Sequence, residues 1–89
     1  MQQIEGFLWE EWVIDKLDWK HGIDSQEVEE SFFNPPYKVR RTADNKYLLY
    51  GRSESGRYLF VVFVWEGQFV KGITAREMTP MEKRFYGRK

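Results

Sequence analysis

Cysteine is absent from this 89-residue chain, and histidine occurs only once. The first absence removes any disulfide framework and any thiolate chemistry. Together the two leave no ligand set for a structural zinc ion. No Walker or GxGxxG phosphate loop is present, and no order of Ser, His and Asp suggests a nucleophilic triad. The acidic side chains of the first expected helix lack the loop spacing of a calcium or magnesium site and read as a solvated face. No metal or other cofactor is therefore expected. Long apolar runs are missing too: none reaches the roughly 20 residues that cross a bilayer. The opening Met1-Gln2-Gln3-Ile4-Glu5 does not read as a signal peptide. A cytoplasmic protein without membrane contact is the expectation. Net charge is also lacking, with 14 basic and 14 acidic residues, which argues against a strongly basic, free-standing nucleic-acid binder.

That neutrality hides a segregation. From Met1 to Asn34 nine acidic residues face two basic ones, whereas from Pro35 to Lys89 twelve basic residues face five acidic ones. Such a polarity suggests a surface that meets phosphate or an acidic partner. Aromatic residues are plentiful, with four Trp, five Tyr and seven Phe. Large rings bury much area each, so a single small domain spanning 1–89 can still hold a core.

The hydrophobic period changes along the chain. Phe7-Leu8-Trp9 suits a short edge strand. Glu10–Lys20 has Trp9, Trp12, Val13 and Leu17 at helical offsets, and Gly22 is placed to stop that helix. Asp24 reads as the N-cap of a second helix over Ser25–Phe33, with Glu27 reaching back to it and Ile23 and Val28 as a hydrophobic staple. Asn34-Pro35-Pro36 ends it. Strands follow over Tyr37–Thr42, Tyr47–Arg52, Tyr58–Trp65 and Gln68–Ala75. The third is apolar throughout, as a central strand covered on both faces would be. Thr79-Pro80-Met81-Glu82 then supplies a cap, a first-turn proline and a third-position Glu for a last helix. The expected fold is α+β: two N-terminal helices, an antiparallel sheet of about four strands with a possible short N-terminal strand, and a C-terminal helix.

The chemistry left is that of arginine, lysine, tyrosine and one histidine, a set that serves RNA cleavage without a metal. There the 2′-hydroxyl attacks the adjacent phosphate. The protein must position the backbone, neutralise the growing phosphoryl charge, accept one proton and supply another. Arg76 ends a strand just before a helix start and suits the phosphate, since its planar fork stays charged; an ion pair with Glu77 or Glu82 is the competing reading. Arg52 and Arg57 flank the Ser53–Gly56 turn and line the same edge, or act as solvated turn residues. Lys20 complements the dipole at the end of the first helix. His21, the only side chain that titrates near neutrality, is either an acid–base group or a plain helix-end residue. Tyr86 faces the same way as Lys83, to stack a base or to pack. Strict alternation sets Phe69, Lys71 and Ile73 on one face and Val70, Gly72, Thr74 and Arg76 on the other, so that Lys71 and Arg76 converge only if the strand bends at Gly72.

Three motifs recur in order. They are Trp9 with Lys20-His21-Gly22-Ile23; Gly51-Arg52, a turn, and Gly56-Arg57 leading into Tyr58–Phe63; and Lys71-Gly72-Ile73-Thr74-Ala75-Arg76 followed by Glu82-Lys83-Arg84-Phe85-Tyr86. On these, nearly the whole chain resembles the BrnT-type toxins of bacterial type II toxin–antitoxin systems, in the RelE-like ribonuclease group. The resemblance implies an endoribonuclease that cleaves mRNA and inhibits translation and growth. It also implies a cognate antitoxin, often of the ribbon-helix-helix DNA-binding type, through which alone the toxin would reach operator DNA. On this reading Arg76 binds the scissile phosphate with Arg52 and Arg57 assisting. His21 or Tyr86 moves protons, and Lys20, Lys71, Lys83 and Arg84 hold RNA. The chain departs from the pattern at Val13 and Leu17, where the family carries Lys and Asn, at Lys71, where it carries Arg, and at Gly72, where it carries Ile. Arg to Lys loses bidentate phosphate geometry, and Val13 and Leu17 beside Trp12 suggest an apolar patch. These departures motivate an alternative, a catalytically weak or inactive toxin-like module acting with its antitoxin as an operon corepressor. A third class, a folded adaptor whose acidic helices meet a basic protein, predicts a protein-only interaction insensitive to salt.

Overall fold

The computed structural model describes residues 3–88; Met1, Gln2 and the last residue of the basic tail, Lys89, lie outside them. In chain order the elements are β1 (Gly6–Leu8), α1 (Glu11–His21), α2 (Ser25–Ser31), β2 (Lys38–Arg41), β3 (Tyr47–Arg52), β4 (Tyr58–Glu66), β5 (Phe69–Glu77) and α3 (Pro80–Gly87). The strands form one sheet in the order β1-β5-β4-β3-β2. β2 to β5 make the expected antiparallel meander, but β1 pairs in parallel with β5 through Gly6–Phe69, Phe7–Val70 and Leu8–Lys71. The sheet is therefore mixed and five-stranded.

Local chemistry accounts for the helix ends. Gly22 closes α1 in the left-handed region at φ 62°, where a Cβ is costly, and its N–H reaches the Asp18 carbonyl. Asp24 caps α2 by accepting from the Gln26 N–H. Glu27 does not reach back to it, because its carboxylate is taken by Arg57. The α2 helix also stops at Ser31, earlier than its apolar pattern suggests, and Phe32 turns into the core. Thr79 and Glu82 form both halves of the capping box that starts α3, an arrangement worth about 1 kcal/mol.

One face of the sheet meets α1 and α2. Val13 and Leu17 of α1, Ile23, Val28 and Phe32 pack there on Leu49, Leu59, Val61, Phe63, Val70 and Ala75. Phe32 bridges Phe7 and Phe63 edge-on, with ring centroids 5.3 and 5.0 Å away, a geometry favoured by ring quadrupoles. Val13 and Leu17 are thus core residues and form no surface patch with Trp12. The central strand β4 is not covered equally. Leu59, Val61 and Phe63 are buried under the helices, whereas Tyr58, Phe60, Val62 and Val64 on the other face are only half-buried. On that side α3 packs against β3, with Phe85 edge-on to Tyr50 at 4.8 Å.

The β5 strand holds one residue too many for its partner. Phe63 pairs with Gly72 and Val62 with Thr74, leaving Ile73 as a bulge. Paired residues share a face. Lys71 pairs with Val64 and Arg76 with Phe60, and both point to the α3 side. The opposite facing expected from strict alternation is overturned by that single residue, with no bend needed at Gly72. Gly72 has a different reason to be glycine: the indole of Trp9 lies over it.

Candidate active site and nucleic-acid interface

The end of β3, the start of β4, the end of β5 and the start of α3 meet at one margin of the sheet, and most of the sequence-derived candidates are gathered there. On the α3 face, Tyr58 is the hub. The Arg52 guanidinium carbon lies 5.9 Å from its ring centroid and the Lys83 Nζ 5.3 Å. The Tyr86 ring stands edge-on to it at 5.9 Å. Arg76 is one pair further along, with its guanidinium carbon 4.4 Å from the centre of Phe60. Two arginines, a lysine and two tyrosines thus share one surface at helix and strand ends.

These cations are not equally occupied. Arg76 is bound by Glu82 through two bonds, Nη1 to Oε1 at 2.7 Å and Nη2 to Oε2 at 2.8 Å, and also donates to the Glu77 carbonyl. The Glu82 carboxylate holds Arg76 above its ordinary value, and Arg76 holds Glu82 below the usual carboxylate range. Arg57 points to the helical side. Its Nη1 donates to the Gly22 carbonyl at 2.9 Å and to both Glu27 oxygens at 3.2 Å, and its Nη2 meets Glu77 at 3.1 Å. It ties the end of α1, the start of α2 and the end of β5 together. Arg52 differs from both. Among the described residues it has no carboxylate partner, and its Nε is buried without a hydrogen bond. Such a group stays costly until something accepts from it.

His21 follows Lys20 at the end of α1, on the helical side of the same margin. Partial burial is the main force lowering its pKa below 6.5, and the positive charges of Lys20, Lys16 and Arg76 add to it. The neutral form of its imidazole is thereby favoured, and the ring makes no hydrogen bond to another described residue. The Tyr86 hydroxyl is committed, donating to the Pro36 carbonyl at 2.6 Å. Arg84 lies on the other flank of α3 and lines a hollow with Arg40, Arg88, Tyr50, Phe85, Met81 and Glu82. Lys71 is not brought to the margin. It lies near the start of β5, bound to Glu10 at 3.0 Å and Glu66 at 3.5 Å, and those carboxylates hold its ammonium above the ordinary value.

Tyr58, Arg40 and Arg88 escaped the sequence reading. Tyr58 was legible only as part of an apolar strand, although its place directly after Arg57 and its alternation with Leu59 mark it as facing away from the core. Arg40 reaches α3 only through the pairing of β2 with β3. No three His, Asp or Glu side chains among the described residues cluster as a metal site requires. None of the described helices is long and apolar enough to cross a membrane.

A small α+β scaffold with an arginine-rich margin is the class that these features define. Residues 9–82 match the family model of the ribonuclease toxin BrnT of type II toxin–antitoxin systems. The fold is similar to that in a 1.1 Å crystal structure of the Brucella abortus ribonuclease toxin BrnT, with a TM-score of 0.71 and 22% identity, covering 83% of this chain and 96% of that one. No curated protein matches by sequence. The chain belongs to the BrnT family of ribonuclease toxins of type II toxin–antitoxin systems. Membership implies a cognate antitoxin.

Proposed function

We propose that the chain is a metal-independent endoribonuclease that cleaves mRNA at the Arg52–Tyr58–Arg76–Lys83 margin and so inhibits translation and growth until its antitoxin, of the ribbon-helix-helix type, restrains it. The observation that carries this reading is Arg52: a guanidinium with no carboxylate partner among the described residues, set over Tyr58 at the same margin as Arg76 over Phe60. A phosphate accepts from such a fork bidentately. In the proposed step the 2′-oxygen forms a bond to phosphorus while the bond to the 5′-oxygen breaks, leaving a 2′,3′-cyclic phosphate and a 5′-hydroxyl. Arg52 and Arg76 offset the charge that develops on the phosphoryl oxygens. His21 accepts the 2′ proton, and solvent water supplies the proton that the departing 5′-oxygen takes. The Tyr86 hydroxyl is engaged by Pro36, so its contribution is to brace Tyr58, on which a base stacks. Lys83, Lys20 and the Arg40–Arg84–Arg88 hollow carry the flanking backbone.

One observation favours the alternative of an inactive toxin-like corepressor: Arg76 already has both faces of its fork filled by Glu82. Expression of the wild-type chain and of Arg52→Ala and Arg76→Ala variants in a bacterium, with cleavage of purified RNA followed in EDTA, separates the two. Growth arrest and cleavage by the wild type, lost in both variants, support the enzyme. Equal growth and intact RNA in all three would sink it.

A further inference from the structure

The outward flank of α1 carries two tryptophans that the fold does not use. Trp12 is 58% exposed and Trp19 is 75% exposed, while Val13 and Leu17 on the inner side of the same helix are buried. Seven residues separate the indoles, two helical turns or about 10.5 Å along one flank. Asp15 and Lys16 fill the turn between, with the Lys16 Nζ 5.5 Å over the Trp12 ring. Trp12 donates its indole N–H to Glu10, whereas the indole N–H of Trp19 has no partner among the described residues. Large rings at positions i and i+7 stand two turns apart on one flank, where a single packed helix reaches both. Trp is also the side chain most often found as an interface anchor.

Charge selects the kind of partner. Glu11, Asp15 and Asp18 are exposed beside the stripe, and the segment through Asn34 holds nine acidic residues against two basic ones. A nucleic-acid backbone is repelled there, and a basic amphipathic helix is attracted. We propose that the Trp12–Trp19 stripe docks a helix of the cognate antitoxin, with apolar side chains seated against each indole and Lys or Arg set against Glu11, Asp15 and Asp18. The inference rests on family membership, which implies the antitoxin, and not on cleavage. The stripe is on the helical layer, across the sheet from Arg52, Tyr58 and Lys83; of the proposed cleavage surface only Lys20 and His21 share its helix, at the C-terminal end beyond Trp19.

The test uses the whole chain and the antitoxin encoded with it, both purified, with affinity measured at low and high salt. Trp12→Ala/Trp19→Ala, checked for intact folding by circular dichroism, is expected to bind about 100-fold or more weakly. Asp15→Lys/Asp18→Lys is expected to bind at least about tenfold more weakly and with a flatter salt dependence. RNA cleavage by both free variants should equal that of the wild type. Affinities within about threefold of wild type for the tryptophan variant would overturn the proposal, as would self-association of the toxin alone that disappears with the same substitutions, since the occupant would then be a second copy. A wild type that binds through the stripe but never cuts RNA supports the docking site while removing the ribonuclease reading.

Discussion

Arg76 and Glu82 are joined by two nearly parallel hydrogen bonds of 2.7 and 2.8 Å, and the same carboxylate accepts from the Thr79 N–H. One side chain therefore both starts α3 and occupies the arginine proposed to hold phosphate. Glu82→Gln keeps an acceptor for Thr79 but ends the bidentate pairing. A loss of about 1 kcal/mol is expected, seen as roughly 4–8 °C in Tm, because the pair is partly exposed and screened. Cleavage by Glu82→Gln should match or exceed the wild type, since the Arg76 fork is released. A rate that falls as far as in Arg76→Ala would show that Glu82 orients Arg76 instead of competing for it. The lowered Glu82 pKa sets the pH window: the contribution is present above the ordinary 4.5 and fades as the pH drops through the lower folded value. Urea midpoints taken from pH 6 down to pH 3 should fall less in Glu82→Gln than in the wild type.

His21 acts in the same direction, at higher pH. Its folded pKa is lowered from 6.5, so below that pH the unfolded chain takes up the proton first and stability declines. His21→Asn removes this contribution. Between pH 7.5 and 5.5 the urea midpoint of the wild type should drop more than that of the variant. Should His21 act as the base, the acid limb of the cleavage profile lies below pH 6.5 in the wild type and is absent from the residual activity of His21→Asn. A limb unchanged by the substitution would assign it to another group.

Arg52 and Arg57 are only five residues apart, yet their substitutions are expected to separate. Arg57→Ala unties Gly22, Glu27 and Glu77 and should cost about 1–3 kcal/mol. Arg52→Ala removes a group whose Nε is buried and unsatisfied, so its stability should stay within about 0.5 kcal/mol. RNA affinity should nevertheless fall, with a salt slope smaller by about one. Calorimetry and RNA titrations across salt concentrations check both arms; a large stability loss in Arg52→Ala would mark it as a fold residue.

Gly72 has a side chain's place filled by a neighbour. A Cβ there would lie 2.2 Å from Trp9 Cζ3 and 2.5 Å from Cη2. Trp9 is also fastened to α2 by its N–H to Glu29 at 2.8 Å, so it cannot yield cheaply. Gly72→Ala should destabilise by about 1–3 kcal/mol. Gly72→Ile should be worse alone and partly rescued by Trp9→Ala. A double-mutant cycle of thermal melts reads that coupling, and additive losses would contradict it.

What was legible in the sequence and what was not divides along the range of the interactions. The Thr79–Glu82 capping box, the Gly22 stop and the strand Tyr47–Arg52 depend on residues a few positions apart, and their patterns stand in the chain itself. The parallel pairing of Phe7 with Val70 does not, because nothing local announces which strand edge β1 will find. The same holds for the partners of the cations. Arg57 meets Glu27 across 30 residues, and no spacing rule connects them. Val13 and Leu17 were misread as a patch for a related reason: helical periodicity identifies a face but not what lies against it. The candidate site was legible as a list of cations and not as a map, since the facing of Arg76 was obscured by Ile73.

That extra residue has a consequence for how the strand tolerates change in length. Four residues lie between Lys71 and Arg76, which in a regular strand would set the two on opposite faces, yet pairing with β4 keeps them on the same side. The swelling at Ile73 absorbs the surplus, so the two halves of β5 are clocked separately by Val64 and Phe60. Deleting Ile73 would therefore straighten the strand without turning Arg76 over. A residue inserted between Thr74 and Arg76 has no such slack and would send the arginine into the helical layer. The bulge works as a phase adjuster, and it marks the one place in this strand where the chain can be shortened while its chemistry stays on the same side.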